Sequence, residues 1–240
     1  MKLDILAIGV HPDDVELGCS GSLLAAISQG KKVGILDLTK GELGTRGTPE
    51  GRLQEAQSAA QILGVECREN VGMADGFFKN DEEHQKLLIS YIRKFRPDLV
   101  LANAIDDRHP DHGRAAQLIN DACFYAGLRK VITVSEDGVE QEAWRPKNVF
   151  HYIQDRYIKP DFIVDISAFM DKKIEAIRAF KSQFFVPTYN SNEPQSYIST
   201  PEFLEFIEAR AKELGHAIGV KYGEGFTSYK ALGVSGFNFL

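Results

Sequence analysis

Three short apolar runs, at residues 3–10, 32–39 and 98–103, are separated by stretches with helical spacing. That alternation constrains the fold more than any other feature of the chain. Runs that are apolar at consecutive positions suit strands covered on both faces. A strand–helix–strand repeat implies parallel pairing through right-handed crossovers. Helices are predicted at 18–29, ended by Gly30, and at 53–64, ended by Gly64. A third, at 83–96, puts Leu87, Leu88, Tyr91, Ile92 and Phe95 on one side and stops before Pro97. Residues 111–126 form a fourth. "NVFHYI" (148–153) and "DFIVDI" (161–166) read as later strands, followed by helices at 168–184 and 201–214. The polar segment "FVPTYNSNEPQSYIST" joins those two helices, and Phe203, Phe206, Ile207 and Leu214 form a stripe expected to pack in the core. The expected architecture is a three-layer, Rossmann-like α/β fold with a mostly parallel central sheet. With no repeat, low-complexity tract or polar linker, a single domain over 1–240 is expected.

The composition agrees: 43% of the 240 residues are apolar and 26% charged, enough to bury a sizeable core. A net charge of -6 argues against a nucleic-acid partner. No apolar run approaches the roughly 18 to 20 residues that span a membrane, and Ile5–Val10 is too short for the core of a signal peptide. Cys19, Cys67 and Cys123 are odd in number and lack metal-type spacing, so reduced thiols in a cytoplasmic protein are expected.

The first strand runs directly into His11-Pro12-Asp13-Asp14, with Glu16 close behind. Carboxylates clustered at the end of a buried strand repel one another and are costly to dehydrate, unless something positive sits among them. In open parallel sheets, sites form beyond the carboxyl ends of the strands. The strand at 98–103 leads into a second cluster with Asp106, Asp107, His109, Asp111 and His112, facing the same crevice. Three of the six histidines fall in these two segments. Neutral imidazole with carboxylate suits a zinc site that keeps one open position. His11 and Asp14 can turn to one point, and one residue of the second cluster completes the set. Asp13 is then left over as a base, and His109 or His112 as an acid or oxyanion stabiliser, which is equipment for metal-assisted hydrolysis. Either segment alone would also serve as a capped helix start; together, at two strand ends, they favour the site.

Cys19 reads as a buried helix residue, His84 and His216 as surface residues on helices, and His151 as a strand residue. The glycine-rich loop 40–52 lacks the GxGxxG and GxxxxGK[ST] patterns of phosphate binders. Arg52 stands at a helix start, where the dipole gives a cation no benefit, so an anion nearby is expected, with Glu55 positioning the guanidinium. Arg46 and Arg108 are further candidates at the mouth; Arg145 reads as a solvated arginine.

"AIGVHPDDVELGCSG", "LTKGELGTRGTPEGRLQEAQSAAQILGV", "HPDHGRA" and the late "GVKYGEGF" together resemble the LmbE-like, or PIG-L, family of zinc-dependent N-deacetylases. The resemblance implies His11, Asp14 and His112 as ligands of one Zn2+, with other divalent metals able to occupy the set. It implies Asp13 as general base and His109 as the imidazole that stabilises the oxyanion or protonates the amine, oriented by Asp111. Arg52 and Tyr197 match residues near the substrate. Within the family the chain is most similar to the bacillithiol biosynthesis deacetylases. The implied reaction is removal of acetate from N-acetylglucosaminyl-L-malate, the alternative being another N-acetylglucosamine derivative such as diacetylchitobiose. The resemblance also implies a homo-oligomer, often a hexamer in the family. Two other classes fit the residues less well. A nucleotide-binding module is opposed by His-Pro-Asp-Asp where a glycine turn is needed, and a metal-binding protein without catalysis by Asp13 and His109, which the metal itself does not require.

Overall fold

The computed structural model describes residues 1–187, 192–233 and 236; residues 188–191 of the polar segment lie outside them. The described residues form one seven-stranded sheet: β1 (Ile5–Gly9), β2 (Val33–Thr39), β3 (Cys67–Met73), β4 (Leu99–Ala102), β5 (Asn148–Tyr152), β6 (Phe162–Asp165) and β7 (Gly223–Thr227). The spatial order is β3-β2-β1-β4-β5-β7-β6. The first five of these are mutually parallel, and β7 runs antiparallel to both neighbours. Six helices cover the sheet: α1 (Asp14–Ser28), α2 (Pro49–Leu63), α3 (Glu82–Phe95), α4 (Pro110–Ala126), α5 (Met170–Arg178) and α6 (Pro201–Ala217). Leu88, Ile92 and Phe95 of α3 pack with Leu118, Ile119 and Ala122 of α4 on one face. Val15, Cys19 and Leu23 of α1 pack with Ala176 of α5 on the other. This is the expected three-layer α/β arrangement. No described helix is long and apolar enough to cross a membrane.

Local chemistry sets the helix ends. Thr48 accepts a hydrogen bond from the Gly51 amide ahead of Pro49, and Asp81 accepts one from the His84 amide. Gly64 ends α2 at φ 74, a conformation that costs glycine little.

Several elements depart from the sequence expectation. Helix α1 starts at Asp14, not Gly18, because the turn at His11–Asp13 is itself the helix entry: the Asp14 amide donates to His11 O and the Leu17 amide to Asp13 O. Helix α2 likewise starts at Pro49, and α5 stops at Arg178, short of 184. The sequence reading missed β3 and β7. The first is an edge strand of mostly half-buried residues, so its apolar pattern is weak. The second, GEGFT, is poor in strand formers and is buried by its place between β5 and β6. Leu87 and Phe206, expected in apolar stripes, stand 38% and 37% exposed.

The pairing positions the site. Strand β1 lies between β2 and β4, so the segments after all three, and after β5, meet at one edge.

Candidate active site

Asp14 begins α1 with its carboxylate turned back over the end of β1. Oδ2 accepts the Val10 and His11 amides, each at 2.9 Å, and Asn103 Nδ2 at 2.9 Å. Oδ1 accepts Gln154 Nε2 at 3.0 Å. His112, in the first turn of α4, brings Nε2 to 3.2 Å from Asp14 Oδ1, and His11 Nδ1 lies 3.7 Å from Asp14 Oδ2. Each imidazole is held from behind by a carboxylate: His112 Nδ1 by Asp107 at 2.5 Å and His11 Nε2 by Asp75 at 2.9 Å. Backing of this kind orients histidines that ligate metals. His112 Nε2 is buried, and no hydrogen bond reaches it. An unpartnered imidazole nitrogen beside a carboxylate fits a cation.

The electrostatics point the same way. Burial lowers the affinity of His112 for a proton, but Asp14 and Asp107 outweigh it and push the pKa up to about 10. Burial would raise Asp14, but His112 and His11 hold it below the usual carboxylate range. His109 completes an imidazole triad whose ligand atoms, with those of His11 and His112, lie within 4.8 Å of one another. A second such group among the described residues is His11, Asp75 and Asp111; Asp14 belongs to neither group, but its carboxylate lies 3.7 Å from His11 Nδ1 and 3.2 Å from His112 Nε2. Asp14, unlike His109, carries a negative charge that a divalent cation would neutralise.

Asp13 is buried and sits at φ 136, a conformation rare for a side-chain-bearing residue. Burial is the main reason its carboxyl rises to about 7; Arg52 opposes the rise and Asp14 adds to it. Arg52 donates to Asp13 Oδ2 at 3.0 Å, to Pro12 O at 3.1 Å and to Gly41 O at 3.2 Å. It borders the cavity, but its hydrogen bonds go to Asp13 and two carbonyls instead of open solvent. Glu55 does not hold Arg52 as expected; it accepts from the amide and hydroxyl of Ser182.

The expected role of Asp111 is corrected. Its carboxylate accepts from the Gly76 amide at 2.9 Å and from Arg114 at 2.8 Å. Only its backbone amide meets His109, donating to Nδ1 at 3.3 Å. Burial, with His11 and His112 adding, holds His109 below the ordinary histidine range, against the opposing pull of Asp111 and Asp14.

A cavity of about 440 Å³ opens over these groups. Tyr197 lies on its rim, 51% exposed, with its hydroxyl 3.5 Å from Asp155 Oδ1 and the Arg108 guanidinium 4.4 Å over its ring. Arg46 ties the rim together by donating to Ser182 O, Glu193 O and Pro194 O. Arg145 stacks on Phe124, away from this cavity. Asp75, Asn103, Gln154, Asp155 and Arg210 were not singled out from the sequence. Asn103 and Gln154 carried one faint signal, as polar residues closing apolar strand runs.

The model of the family described as PIG-L, GlcNAc-PI de-N-acetylase, matches residues 6–123. Diacetylchitobiose deacetylase of Thermococcus kodakarensis is 31% identical over 235 residues, covering 92% of this chain and 81% of that protein. The chain belongs to the PIG-L family. Solved structures agree with the membership. The conserved protein TT1542 of Thermus thermophilus superposes with a TM-score of 0.85 at 38% identity, covering 97% of this chain and 98% of the other. N,N'-diacetylchitobiose deacetylase of Pyrococcus horikoshii gives 0.76 at 28% identity, covering 93% and 82%. Both His-Pro-Asp segments fall inside the stretch matched by the PIG-L model, whereas Gln154, Asp155, Tyr197 and Arg210 lie beyond it.

Proposed function

We propose that this chain hydrolyses the acetamide of an N-acetylglucosamine derivative, with His11, Asp14 and His112 holding one divalent metal ion, zinc first among the candidates. The observation that carries the proposal is the buried, unpartnered Nε2 of His112 facing Asp14, with Asp13 beside it. A metal bound there would polarise the amide carbonyl and acidify a water. Asp13 has Oδ2 fixed by Arg52, so Oδ1 is the oxygen that takes the proton from the attacking water. His109 Nδ1 accepts the Asp111 amide, which places the proton of the neutral ring on Nε2. That N–H donates to the oxyanion as the carbonyl becomes tetrahedral. Asp13 then returns its proton to the amine, the C–N bond breaks, and acetate leaves.

The relatives favour a disaccharide of the diacetylchitobiose kind over the malate conjugate. Two of the arginines that could meet malate carboxylates have partners in the protein: Arg46 on three carbonyls, and Arg108 on Asp155 and Tyr197. Acetate release from diacetylchitobiose, beside N-acetylglucosamine and N-acetylglucosaminyl-malate, with and without chelator, tests the reading. Chelator-sensitive release from diacetylchitobiose supports it. Release from the malate conjugate alone restores the other substrate, and no release from any removes the deacetylase proposal.

A further inference from the structure

Between Phe150 and Tyr152, strand β5 carries a histidine that the mechanism does not use. His151 is fully buried, and the sheet register sets it beside Ala102 at the end of β4. Both ring nitrogens have a partner: Nδ1 lies 2.8 Å from the Asn103 carbonyl oxygen, and Nε2 lies 2.9 Å from Asn120 Nδ2. A carbonyl only accepts, so Nδ1 carries the proton. A side-chain amide nitrogen only donates, so Nε2 is the acceptor. The Asn120 amide has one orientation here, because the same Nδ2 donates to Ala116 O at 2.9 Å, and an oxygen in its place would face a carbonyl oxygen. The ring is therefore neutral, in a single tautomer. Burial lowers its affinity for a second proton, in the same sense. Tyr229 packs edge-on against it, with the ring centroids 5.3 Å apart.

We infer that His151 is a positioning residue: its imidazole braces α4 against the end of β4, and so sets the reach between Asp14 and His112. The inference rests on those two residues holding the metal. On one side, Asn120 lies about two turns beyond His112 on the same helix. On the other, Asn103 Nδ2 donates at 2.9 Å to both Asp14 Oδ2 and Gln154 Oε1, and Gln154 donates in turn to Asp14 Oδ1. One ring therefore touches the helix that presents His112 and the residue that holds Asp14, whose facing atoms lie 3.2 Å apart. A leucine would fill the same buried space, but it would deprive the Asn103 carbonyl of a donor and the Asn120 amide of an acceptor.

Zinc affinity, measured by competition with a chromogenic chelator, tests the brace. His151→Leu removes both hydrogen bonds and is expected to bind zinc about tenfold more weakly than the wild type. His151→Asn keeps a donor in the place of Nδ1 and is expected to recover most of that affinity. A packing role alone predicts the reverse order, since asparagine fills the buried space less well than leucine, and unfolding midpoints recorded beside the affinities show which order stability follows. Unaltered affinity in His151→Leu, or a loss in His151→Asn as large as in His151→Leu, overturns the inference. Nitrogen-15 spectra of the wild-type imidazoles are expected to show His151 protonated at Nδ1; a proton on Nε2 also overturns it. If the leucine variant does not fold, Asn120→Ala carries the test, because Asn120 is half-buried and its loss removes only the α4 arm of the brace. That variant is expected to bind zinc several-fold more weakly, and wild-type affinity overturns the inference. A wild-type chain that binds no zinc overturns the metal reading as well. Zinc binding indifferent to both positions overturns the brace alone.

Discussion

Arg52 donates to Asp13 at 3.0 Å, and both side chains are buried, at 5% and 4% exposure. The pair comes from two elements, the start of α1 and the first turn of α2, that meet only because β1 and β2 are neighbours. The proposed mechanism needs Asp13 deprotonated to act as the base. Burial has already raised its pKa to about 7, and Arg52 is the main group holding it down. Removing that cation raises it further. Arg52→Met is therefore expected to shift the acid limb of the kcat/KM profile to higher pH and to depress the rate at neutral pH. A limb that stays in place would show that Asp13 is not the titrating base.

Asp13→Asn separates chemistry from metal binding. The amide cannot take the proton, so turnover is expected to fall by about 10²–10⁴-fold. Metal content measured by elemental analysis should stay near that of the wild type. His11→Ala is expected to lose metal as well as rate. A His11→Ala protein that keeps one tightly bound ion would take His11 out of the ligand set.

Asn103 and Gln154 each donate to Asp14, one to each oxygen. Replacing Gln154 by Leu leaves Oδ1 without its donor and loosens the ligand. Groups behind a ligand typically carry about 10–100-fold in affinity. The Gln154→Leu variant is expected to bind zinc that much more weakly in a chelator competition, with its unfolding midpoint little changed. Unaltered zinc affinity would show that Asn103 and the backbone amides of Val10 and His11 suffice to orient Asp14.

What the sequence made legible follows from where the information lies. Continuous apolar runs announced β1, β2 and β4, and the charged residues straight after them announced the site. His11, Asp13, Asp14 and His112 do converge because two parallel strands share an edge. The partners behind them were invisible. Asp75 and Gln154 come from distant segments, and only the sheet order brings them within reach of His11 and Asp14. The direction of β7 was equally hidden, because GEGFT owes its burial to neighbours rather than to its own composition. Asp111 misled for a related reason. The family resemblance implied a side-chain partner for His109, but the helix start turns the carboxylate to Gly76 and Arg114.

Gly41 packs against the Arg52 guanidinium that holds Asp13. It sits at φ 65, and a Cβ there would lie 1.9 Å from Arg52 Nη1. Gly41→Ala must therefore push the guanidinium off Asp13 as well as strain the backbone. The expected cost is about 1–3 kcal/mol in stability, with a loss of activity resembling that of Arg52→Met. Denaturant unfolding and the pH–rate profile check both parts. Full activity with an unshifted acid limb would mean that the contact with Asp13 does not govern the base.

The late glycine-rich segment has a structural task that thermal unfolding can expose. Glu224 of β7 accepts the Gly21 and Ser22 amides at 3.0 and 2.7 Å, and Lys173 Nζ at 2.6 Å. Lys173 in turn donates to Leu17 O at 2.8 Å. Leu17 O and the Gly21 amide are the two ends of one turn of α1, so the ion pair clamps the helix that presents Asp14. Both side chains are buried, and removing one strands the other's charge away from water. Glu224→Ala is expected to cost about 3–5 kcal/mol. Replacing both residues, as Lys173→Met with Glu224→Leu, should cost less than the sum of the two single changes, because neither charge is then left unpaired. Strict additivity would show that Glu224 stabilises α1 through the Gly21 and Ser22 amides and the Ser22 hydroxyl, and that its pairing with Lys173 contributes nothing.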